Sequence, residues 1–405
     1  MLDERTSQIL SQIDPIQIRA ELFRKGDFSF IVEGYDEDGN LVSHEKQRKA
    51  LELLTCGKYD EFLYGGAASG SKAQPLDAKV YTPFGYKLMG DVKVGDVIKS
   101  PSGGNTNVIA VHPQGLKKIY EIEFIDGAKT RACGEHLWKV WYSGNKSKQE
   151  KRSGKGKIQT TEMLIKNLHK KPIIPLSEPL EFTLPVNRYI TPIWDKINPY
   201  VLGCLIGDGG LTKRVQFTTA DEEIIDYIKE RVDDKFTVNN LSGEYSYSIT
   251  QNERNEKGFG INEMYDYIRE LGLDCKSEFK FIPKEYKHAP LKHRIELTQG
   301  LMDTDGTIDK RGHCSYSTSS EELALDFQYI LRSLGFKVTV SKSGTTHLDT
   351  YKLYIQGNNN SLLFKLKRKK DRLTDFNGGN SESGRRITSI KEVGYEEAQC
   401  ITVDA

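Results

Sequence analysis

The chain has 405 residues, 58 basic and 57 acidic side chains, and a formal net charge of +1 at pH 7. This length predicts two or three domains, and the balanced charge excludes a uniformly basic nucleic-acid-binding protein, so any contact with DNA must depend on local charge. There is no apolar stretch of membrane-spanning length, no signal-peptide pattern, and no metal or disulfide spacing among the six cysteines. We therefore expect a reduced cytoplasmic protein that makes no membrane contact.

The beginning of the chain predicts a helix at 43–54, a short buried strand at 62–64 and then a glycine-rich turn. The turn runs from Gly65 through Gly70 to Lys72. Its glycines would let backbone N–H groups cradle phosphates, and the lysine would reach the β- and γ-phosphates. An ordinary glycine-rich turn explains the same residues equally well.

This order of helix, strand and loop resembles the start of a phage terminase large subunit, a P-loop ATPase that packages DNA. The resemblance implies that residues 1–72 are a partial α/β ATPase segment, that Gln47 contacts adenine, and that the cell is a phage-infected bacterium. ATP and Mg²⁺ would bind only in the complete host protein. Ala73 stands where a Ser or Thr should hold Mg²⁺, and no helix follows it. We therefore predict that a second gene product interrupts the loop between Lys72 and Ala73.

Residues 73–142 predict an all-β structure, because turn signals recur between short alternating runs. The opening DAKVYTPFG, the run from Cys133 to His136, and the distant EEAQCITVD resemble the motifs of an intein splicing domain, the Hint fold. This resemblance implies a discontinuous all-β horseshoe, built from 73–142 and 377–405 and interrupted by an insertion. Cys133 replaces the Thr that is usual in the family, which puts that side chain's hydrogen bond to the scissile amide in doubt.

Ala73 carries no nucleophile for the first splicing step, so it is either an engineered replacement of Cys or the start of an intein that works differently. Cys400 stands where standard inteins carry Asp, and together with Trp138 it resembles the class 3 inteins. That resemblance implies that the Cys400 thiolate attacks the carbonyl of Lys72 and that His136 protonates the nitrogen of Ala73 as it leaves. Trp138 would shape the active site.

The His-Asn ending typical of the splicing domain is absent from the sequence. We therefore expect that completing the reaction requires a downstream intein and extein segment, whether the chain is a truncation, an incomplete gene or the larger piece of a split intein. The downstream extein should begin with Ser or Thr.

Residues 143–198 open with a strongly basic stretch, rich in Gly and Ser, that extends to 171. Such a stretch is either a solvated loop or an arm that follows DNA phosphates, each contact adding a salt-dependent increment to binding. The remainder, to 198, predicts an extended connector. We assign the whole segment as a basic DNA-contacting arm and linker.

Residues 199–376 contain an internal repeat. The segments at 200–211 and 297–308 are short apolar helices with a central Gly and a final Asp-Gly, and each precedes a strand and a T-x-x-E capping box. The repeat resembles the LAGLIDADG (DOD-type) homing endonucleases. This implies a monomeric α+β endonuclease with pseudo-twofold symmetry that cleaves double-stranded DNA.

Gly203 and Gly300 would allow the two repeat helices to approach closely, placing Asp208 and Asp305 at adjacent helix C-termini. Two carboxylates at negative helix ends repel each other unless a cation lies between them, and Mg²⁺ prefers such oxygen ligands. Both aspartates are thus candidate metal ligands and catalytic residues for phosphodiester cleavage. The alternative is that each Asp-Gly only ends a helix. Asp303 is predicted to pack in the interior.

Lys280 begins a Lys-x-x-Pro element that resembles one in the same endonuclease family, which implies that the lysine acts in the water network or stabilises charge at the scissile phosphate. Lys342 or Lys352 would supply the matching residue in the second half. The predicted strands near 216–218, 245–250, 315–317 and 351–355 alternate polar and apolar residues. In the family such strands lie in the major groove and contact base edges with their polar face.

The residues also allow two other interpretations. One is a DNA-binding module with decayed nuclease motifs and no splicing, which a test of metal-dependent cleavage distinguishes. The other is a plain ATPase with a large insertion. The absence of a downstream acidic strand of the type that completes a P-loop ATPase argues against it, because 301–305 lies in the wrong context.

Overall fold

The computed structural model describes residues 73–100, 102–142, 156–182, 193–253, 260–344, 349–357, 359–374 and 384–404, together with two short strands before them. The chain divides into two units, 1–70 and 71–405. In the first unit, β1 (Glu33–Tyr35) and β2 (Leu41–Ser43) pair antiparallel. Ser43, the first residue of the predicted helix at 43–54, ends β2 instead, and the rest of that segment lies outside the described residues. The nucleotide-binding candidates also lie outside them; these candidates are Gln47, Gly65, Gly70 and Lys72.

The second unit begins with short strands, as the turn signals predict. They are β3 (Gln74–Pro75), β4 (Lys79–Thr82), β5 (Gly85–Leu88), β6 (Val97–Lys99), β7 (Asn105–Phe124), β8 (Lys129–Cys133) and β9 (Leu137–Tyr142). In β7, the buried Ile122 and Phe124 alternate with Glu121 and Glu123, which puts the apolar side chains on one face of the sheet.

The segment between 156 and 175 joins this β-structure. It forms β10 (Lys157–Thr160), α1 (Thr161–Asn167) and β11 (Pro172–Pro175). β10 pairs with β9, and β11 lies against β9 on its other side. Leu164, which lies in the predicted basic arm, and Ile173, which lies at the start of the predicted extended connector, are both buried. The end of the basic stretch and the start of the connector therefore contribute to a folded core. The most basic residues of that stretch, 143–155, lie outside the described residues.

The following region contains helices and strands in a regular order. They are α2 (Ile193–Lys196), α3 (Pro199–Asp208), β12 (Gly209–Gly210), β13 (Gln216–Thr218), α4 (Glu222–Lys229), β14 (Phe236–Asn240), β15 (Ser246–Gln251), α5 (Glu263–Glu270), α6 (Lys284–Lys287), α7 (Leu291–Thr304), β16 (Gly306–Ile308), β17 (Cys314–Thr318), α8 (Glu321–Ser333), β18 (Lys337–Gly344), β19 (Asp349–Gln356) and α9 (Lys367–Thr374). Short 3₁₀ turns lie at Met89–Asp91, Leu168–Lys170, Ser277–Phe279 and Asn360–Leu363.

Two four-stranded sheets share one strand order in this region. The first runs β12-β13-β15-β14 and the second β16-β17-β19-β18, so the second sheet repeats the first, strand for strand. A helix ending in the repeated Asp motif precedes each sheet, and α4 and α8 occupy equivalent places. The internal repeat predicted from the sequence is therefore present in the order of the elements.

The predicted capping boxes place each N-cap two residues before the N-cap in the structure. The hydroxyl groups of Thr219 and Thr318 accept the backbone N–H two residues on, that of Asp221 and that of Ser320, each at 3.1 Å. Both threonines thus form a turn before the helix, and α4 and α8 begin after Asp221 and Ser320. Ser320 accepts the N–H of Leu323 as a true N-cap.

The two repeat helices cross at their glycines, as predicted. A Cβ atom on Gly203 would lie 2.5 Å from the carbonyl oxygen of Leu297, and one on Gly300 would collide with the carbonyl of Tyr200. Only a residue without a side chain fits at such a crossing. The helices α3 and α7 are buried in one apolar core that spans both halves of the repeat.

The chain returns to the first β-structure in β20 (Gly384–Val403). β20 pairs antiparallel with β7 from Ile387–Phe124 to Val403–Val108, in the sheet order β10-β9-β11-β20-β7-β6, with β3 on β20 and β8 on β7. The two distant stretches thus form one sheet, as the discontinuous arrangement predicts. In the described part of the chain, no helix combines the length and apolarity needed to span a membrane.

A buried carboxylate joins the β-structure to the repeat region. Asp126, in the turn between β7 and β8, has no exposed side-chain surface. It contacts the guanidinium of Arg332 on α8 at 3.5 Å and that of Arg385 on β20 at 3.1 Å. A buried charge is stable only when it is paired, so these contacts make the boundary between the two parts a specific interface.

Candidate functional site

The two predicted metal ligands lie together at the ends of the repeat helices. Asp208 ends α3, and Asp305 directly follows α7. A Cβ atom on Gly207 would lie 3.3 Å from a carboxylate oxygen of Asp305 and would collide with Thr304, which places the two helix ends side by side. Burial raises the pKa of Asp208, and burial and the adjacent Asp208 charge raise the pKa of Asp305 to about 6.

Lys280 is buried at the end of α3. Its ammonium donates hydrogen bonds at 2.7 to 3.3 Å to the backbone carbonyls of Leu205, Ile206, Gly207 and Gly209. These are the carbonyls that a helix C-terminus leaves without partners, so the ammonium caps the helix and opposes its dipole. Burial lowers the pKa of Lys280 to about 8, while the charges of Asp305 and Asp208 act in the opposite direction.

Lys369 on α9 makes the same contacts at the end of α7. Its ammonium donates to the carbonyls of Met302, Asp303, Thr304 and Gly306 at 2.7 to 3.4 Å. Burial lowers its pKa to about 8 as well. Lys369 is therefore the counterpart of Lys280.

Neither Lys342 nor Lys352, one of which we predicted to be the counterpart of Lys280, lies at the end of α7. Lys342 pairs with Asp349 at 2.7 Å on the exposed β18–β19 hairpin. Lys352 lies over the ring of Tyr354 on the sheet. Lys369 belongs to the run KLKRKKDR, in which nothing local distinguishes the one buried lysine from its exposed neighbours.

Asp303 is fully buried away from the paired aspartates, in the interior role that we predicted. Its carboxylate accepts the hydroxyl of Tyr200 at 3.0 Å and the backbone N–H groups of Lys365 and Leu366. Burial raises its pKa to about 6. These bonds tie the segment that leads into α9 to the second repeat helix.

The paired aspartates suit a hard divalent cation. Two carboxylates forced together by the helix crossing repel each other, and a cation between them would relieve that repulsion. Within the described ranges no cluster of three or more His, Cys, Asp or Glu side chains could hold a metal ion.

Polar faces of the two sheets flank this site. Across the first sheet, cross-strand register aligns Gln216, Ser248 and Asn239, and across the second it aligns Ser317, Lys352 and Ser341. A groove of about 600 Å³ begins at Asp208 and continues over the first sheet; its lining includes Arg214, Gln216, Thr218, Ser242, Ser246 and Tyr247. Hydroxyl, amide and guanidinium groups thus lie where a polyanionic substrate would approach the carboxylates.

The predicted splice-site residues converge on Ala73. β3 pairs with β20 through Gln74 and Gln399, so the next positions in the register are Ala73 and Cys400. The carbonyl of Ala73 accepts the backbone N–H of Cys133 on its other side at 3.0 Å. Ala73, Cys133 and Cys400 are all buried. The backbone of Cys133 therefore anchors the residue at the junction, although its side chain is not the usual Thr.

His136 and Trp138 lie directly after this anchor. The backbone N–H of His136 donates to the carbonyl of Cys133 at 3.2 Å, in the turn that follows β8. The rings of His136 and Trp138 meet edge to face with centroids 4.7 Å apart. The indole N–H of Trp138 donates to the hydroxyl of Thr161 at 2.9 Å. The sequence did not point to Thr161, because it begins a helix that we did not predict, within a stretch selected for its charge.

Comparisons with known proteins cover both parts of the chain. A family model described as a LAGLIDADG-like domain matches residues 294–367, which include Asp305 and the second sheet. Among solved structures, the chain is similar to the gp41-1 intein, at 29% identity over 22% of this chain and 59% of that one, with a TM-score of 0.18. It is also similar to variants of the homing endonuclease I-DmoI, at 17% identity over 42% of this chain and 95% of that one, with a TM-score of 0.31.

The curated relatives are replicative DNA helicases. The chain is 27% identical over 354 residues to DnaB of Mycobacterium intracellulare, covering 82% of this chain and 55% of that protein. It is 39% identical over 79 residues to DnaB of Mycobacterium leprae, or 19% of this chain and 13% of that one. The chain thus spans about half the length of the first relative. These comparisons indicate a DnaB-like host, so the terminase host and the phage-infected cell that we predicted are not supported.

Proposed function

We propose that the chain is an intein that carries a site-specific DNA endonuclease and interrupts a DnaB-like helicase. The observation that carries the nuclease is the pairing of Asp208 and Asp305 at crossed helices inside a repeated fold. The observation that carries splicing is the register that brings Cys400 beside Ala73. The helicase names of the relatives and the LAGLIDADG-like match support this combination.

In the endonuclease, Asp208 and Asp305 would hold Mg²⁺ or a similar divalent cation. Such an ion neutralises charge on a phosphodiester and lowers the pKa of bound water. Lys280 and Lys369 fix the two helix ends and thus the separation of the carboxylates. The polar sheet faces would lie in the major groove of double-stranded DNA, where hydrogen-bonding side chains distinguish base pairs. Because one chain contains both halves, a monomer suffices.

The nuclease is tested by cleavage of plasmids that carry an uninterrupted DnaB-like helicase gene, with Mg²⁺ or Mn²⁺ added. We expect cutting near the insertion point, and a loss of at least about 100-fold in Asp208→Asn and in Asp305→Asn, because each removes one of two paired charges. Asp309→Asn, an exposed aspartate in the β16–β17 turn, should cut normally. Binding without metal-dependent cleavage would favour the DNA-binding module with decayed nuclease motifs.

In splicing, the Cys400 thiolate would attack the carbonyl carbon of residue 72. A sulfur–carbon bond forms, the bond from that carbon to the nitrogen of Ala73 breaks, and the nitrogen takes a proton from His136. A thioester then links residue 72 to Cys400. In this scheme Ala73 is the natural first residue, since no nucleophile is needed there.

Thioester formation is tested on the full chain with hydroxylamine, which cleaves thioesters. We expect release of the fragment 1–72 from the wild type and none from Cys400→Ala. Cys275→Ala, a half-buried cysteine in the endonuclease region, provides the matched control and should release the fragment at the normal rate. Equal release from Cys400→Ala would refute the assignment of Cys400 as the nucleophile.

We also propose that the basic stretch from 143 lies along DNA phosphates. Its Lys and Arg side chains are close in sequence to β9 and β10, so the arm would extend from the splicing part toward DNA held by the sheets. Neutralising the lysines between 146 and 157 should then weaken DNA binding and reduce its dependence on salt. An unchanged salt dependence would assign the stretch as a solvated loop.

A further inference from the structure

Thr161 links the two aromatic residues of the splice site. It is the first residue of α1 and has no exposed surface. Its backbone N–H donates to the carbonyl of His136 at 3.0 Å, and its hydroxyl accepts the indole N–H of Trp138 at 2.9 Å. One residue thus contacts His136 through its backbone and Trp138 through its side chain.

The surrounding segment keeps Thr161 in place. β10 pairs with β9 through Gln159 and Trp138, and the N–H of Glu162 donates to the carbonyl of Gly134 at 3.0 Å. Thr160 caps α1 by accepting the N–H of Met163 at 3.1 Å. Backbone bonds on both sides of Thr161 therefore set its position independently of its own hydroxyl group.

We propose that Thr161 is a positioning residue for the splicing reaction, which holds Trp138 against His136. This inference rests on the proposed splicing function. The hydroxyl accepts the only N–H of the indole, and this bond fixes the ring's rotation. With the ring fixed, its contact with the imidazole limits the orientations available to His136. An imidazole held in one orientation transfers its proton to the leaving nitrogen of Ala73 more efficiently than one that rotates.

The contact between the Thr161 hydroxyl and Trp138 can be removed without changing the size of the side chain. Thr161→Val replaces the hydroxyl by a methyl group and leaves the indole N–H of the half-buried Trp138 without its acceptor, whereas Thr161→Ser keeps the acceptor. The readout is the rate at which hydroxylamine releases the fragment 1–72 from the full chain, measured between pH 5.5 and 9. We expect Thr161→Val to be slower by about tenfold, the rate change that corresponds to roughly one hydrogen bond. Thr161→Ser should remain within about twofold of the wild type.

Thr160→Val is the matched control, because it removes the N-cap of the same helix and leaves Trp138 untouched. It should release the fragment within about twofold of the wild-type rate. A wild-type rate for Thr161→Val would overturn the proposal. An equally slow release from Thr160→Val would also overturn it, because the effect would then come from helix stability. An equally slow release from Thr161→Ser would overturn it too, because the hydroxyl group would then not be the cause.

Failure of splicing itself gives a different result. If the wild type and Cys400→Ala both release nothing, the proposed splicing function is wrong, and the contact is then judged by NMR titration of the His136 imidazole. A titration midpoint that differs between the wild type and Thr161→Val, and returns in Thr161→Ser, would support the positioning role. Identical midpoints in all three chains would overturn it.

Discussion

At the scale of single residues, the proposed endonuclease site depends on two lysines that do not reach into it. The ammonium groups of Lys280 and Lys369 each donate hydrogen bonds to four backbone carbonyls at a helix end. An ammonium has three donors, so none is left for a phosphate. In this geometry the lysines orient Asp208 and Asp305 instead of contacting substrate, which differs from the role at the scissile phosphate that the family resemblance implies for Lys280.

Lys369→Met should therefore impair both stability and cleavage. The substitution keeps the apolar stem and removes the charge, leaving buried carbonyls without a partner at a cost of roughly 3 kcal/mol. We expect that loss in the free energy of unfolding, measured by urea denaturation, together with slower DNA cleavage by the folded variant.

Lys370→Met is the control for the Lys369 variant, because it changes the next residue of α9, which is exposed. It should unfold and cleave like the wild type. If Lys369→Met were equally stable, the carbonyl contacts would carry no net stabilisation, and the assignment of Lys369 as a helix cap would be wrong.

At the scale of elements, the crossing of α3 and α7 decides where the aspartates lie. The backbones approach too closely for any side chain at Gly203 or Gly300. At the start of α3 the N–H of Tyr200 donates to the side chain of Asn198, and at the start of α7 the N–H of Leu291 donates to the carboxylate of Glu181. Both helices end on lysine ammonium groups. The positions of both helix ends and of the crossing point are thus fixed, and they determine where the carboxylates of Asp208 and Asp305 lie.

Gly203→Ala should separate the helices. Its Cβ atom would meet the backbone carbonyl of Leu297 at 2.5 Å, and backbone cannot move aside as a flexible side chain can. We expect a loss of at least about 2 kcal/mol in unfolding free energy and reduced cleavage. Gly260→Ala, where a Cβ atom meets nothing within 4 Å, is the matched control and should leave thermal unfolding unchanged. A stable, active Gly203→Ala would show that the crossing is adaptable.

At the scale of the whole molecule, Asp126 connects the β-structure, where we propose splicing, to the repeat region, where we propose DNA cleavage. Its two arginine partners come from different parts, Arg332 from α8 and Arg385 from β20. The same strand β20 carries Cys400. Changes in the endonuclease fold can therefore affect the sheet that holds the splice site.

Asp126→Asn should weaken this connection. Removing one partner of a buried ion pair typically costs about 3 to 5 kcal/mol, because the remaining charges lose their compensation. We expect calorimetry to show two separate unfolding transitions in place of one. Asp77→Asn, which removes the exposed partner of Arg131, should have a much smaller effect. A single unchanged transition in Asp126→Asn would show that other contacts unite the two parts.

The local sequence pattern was sufficient to predict much of the candidate nuclease site. The repeated Gly and Asp positions predicted the helix crossing and the paired carboxylates, because helix period and small residues are encoded within a dozen residues. The resemblance of the motifs around Ala73 and Cys400 to a splicing domain implied that the two ends of the chain form one structure, and the register of β3 with β20 places them in one sheet. Other features were decided only by the structure: the hydroxyl groups of Thr219 and Thr318 each close a turn before the helix, and the hydroxyl of Ser320 caps α8.

The sequence by itself determined that an all-β part encloses a repeated helix-and-sheet part, and which residues are the candidates for chemistry. Only the tertiary structure decided which distant groups meet them. Lys369 is one of several lysines in a basic run, and Thr161 is the second of two adjacent threonines at the start of a helix. Lys369 is selected by four backbone carbonyls at the end of α7, and Thr161 by the indole N–H of Trp138; all these partners lie more than 20 residues away along the chain. Periodicity acts over short windows, whereas the burial of a charge or the partner of an indole N–H depends on the whole fold.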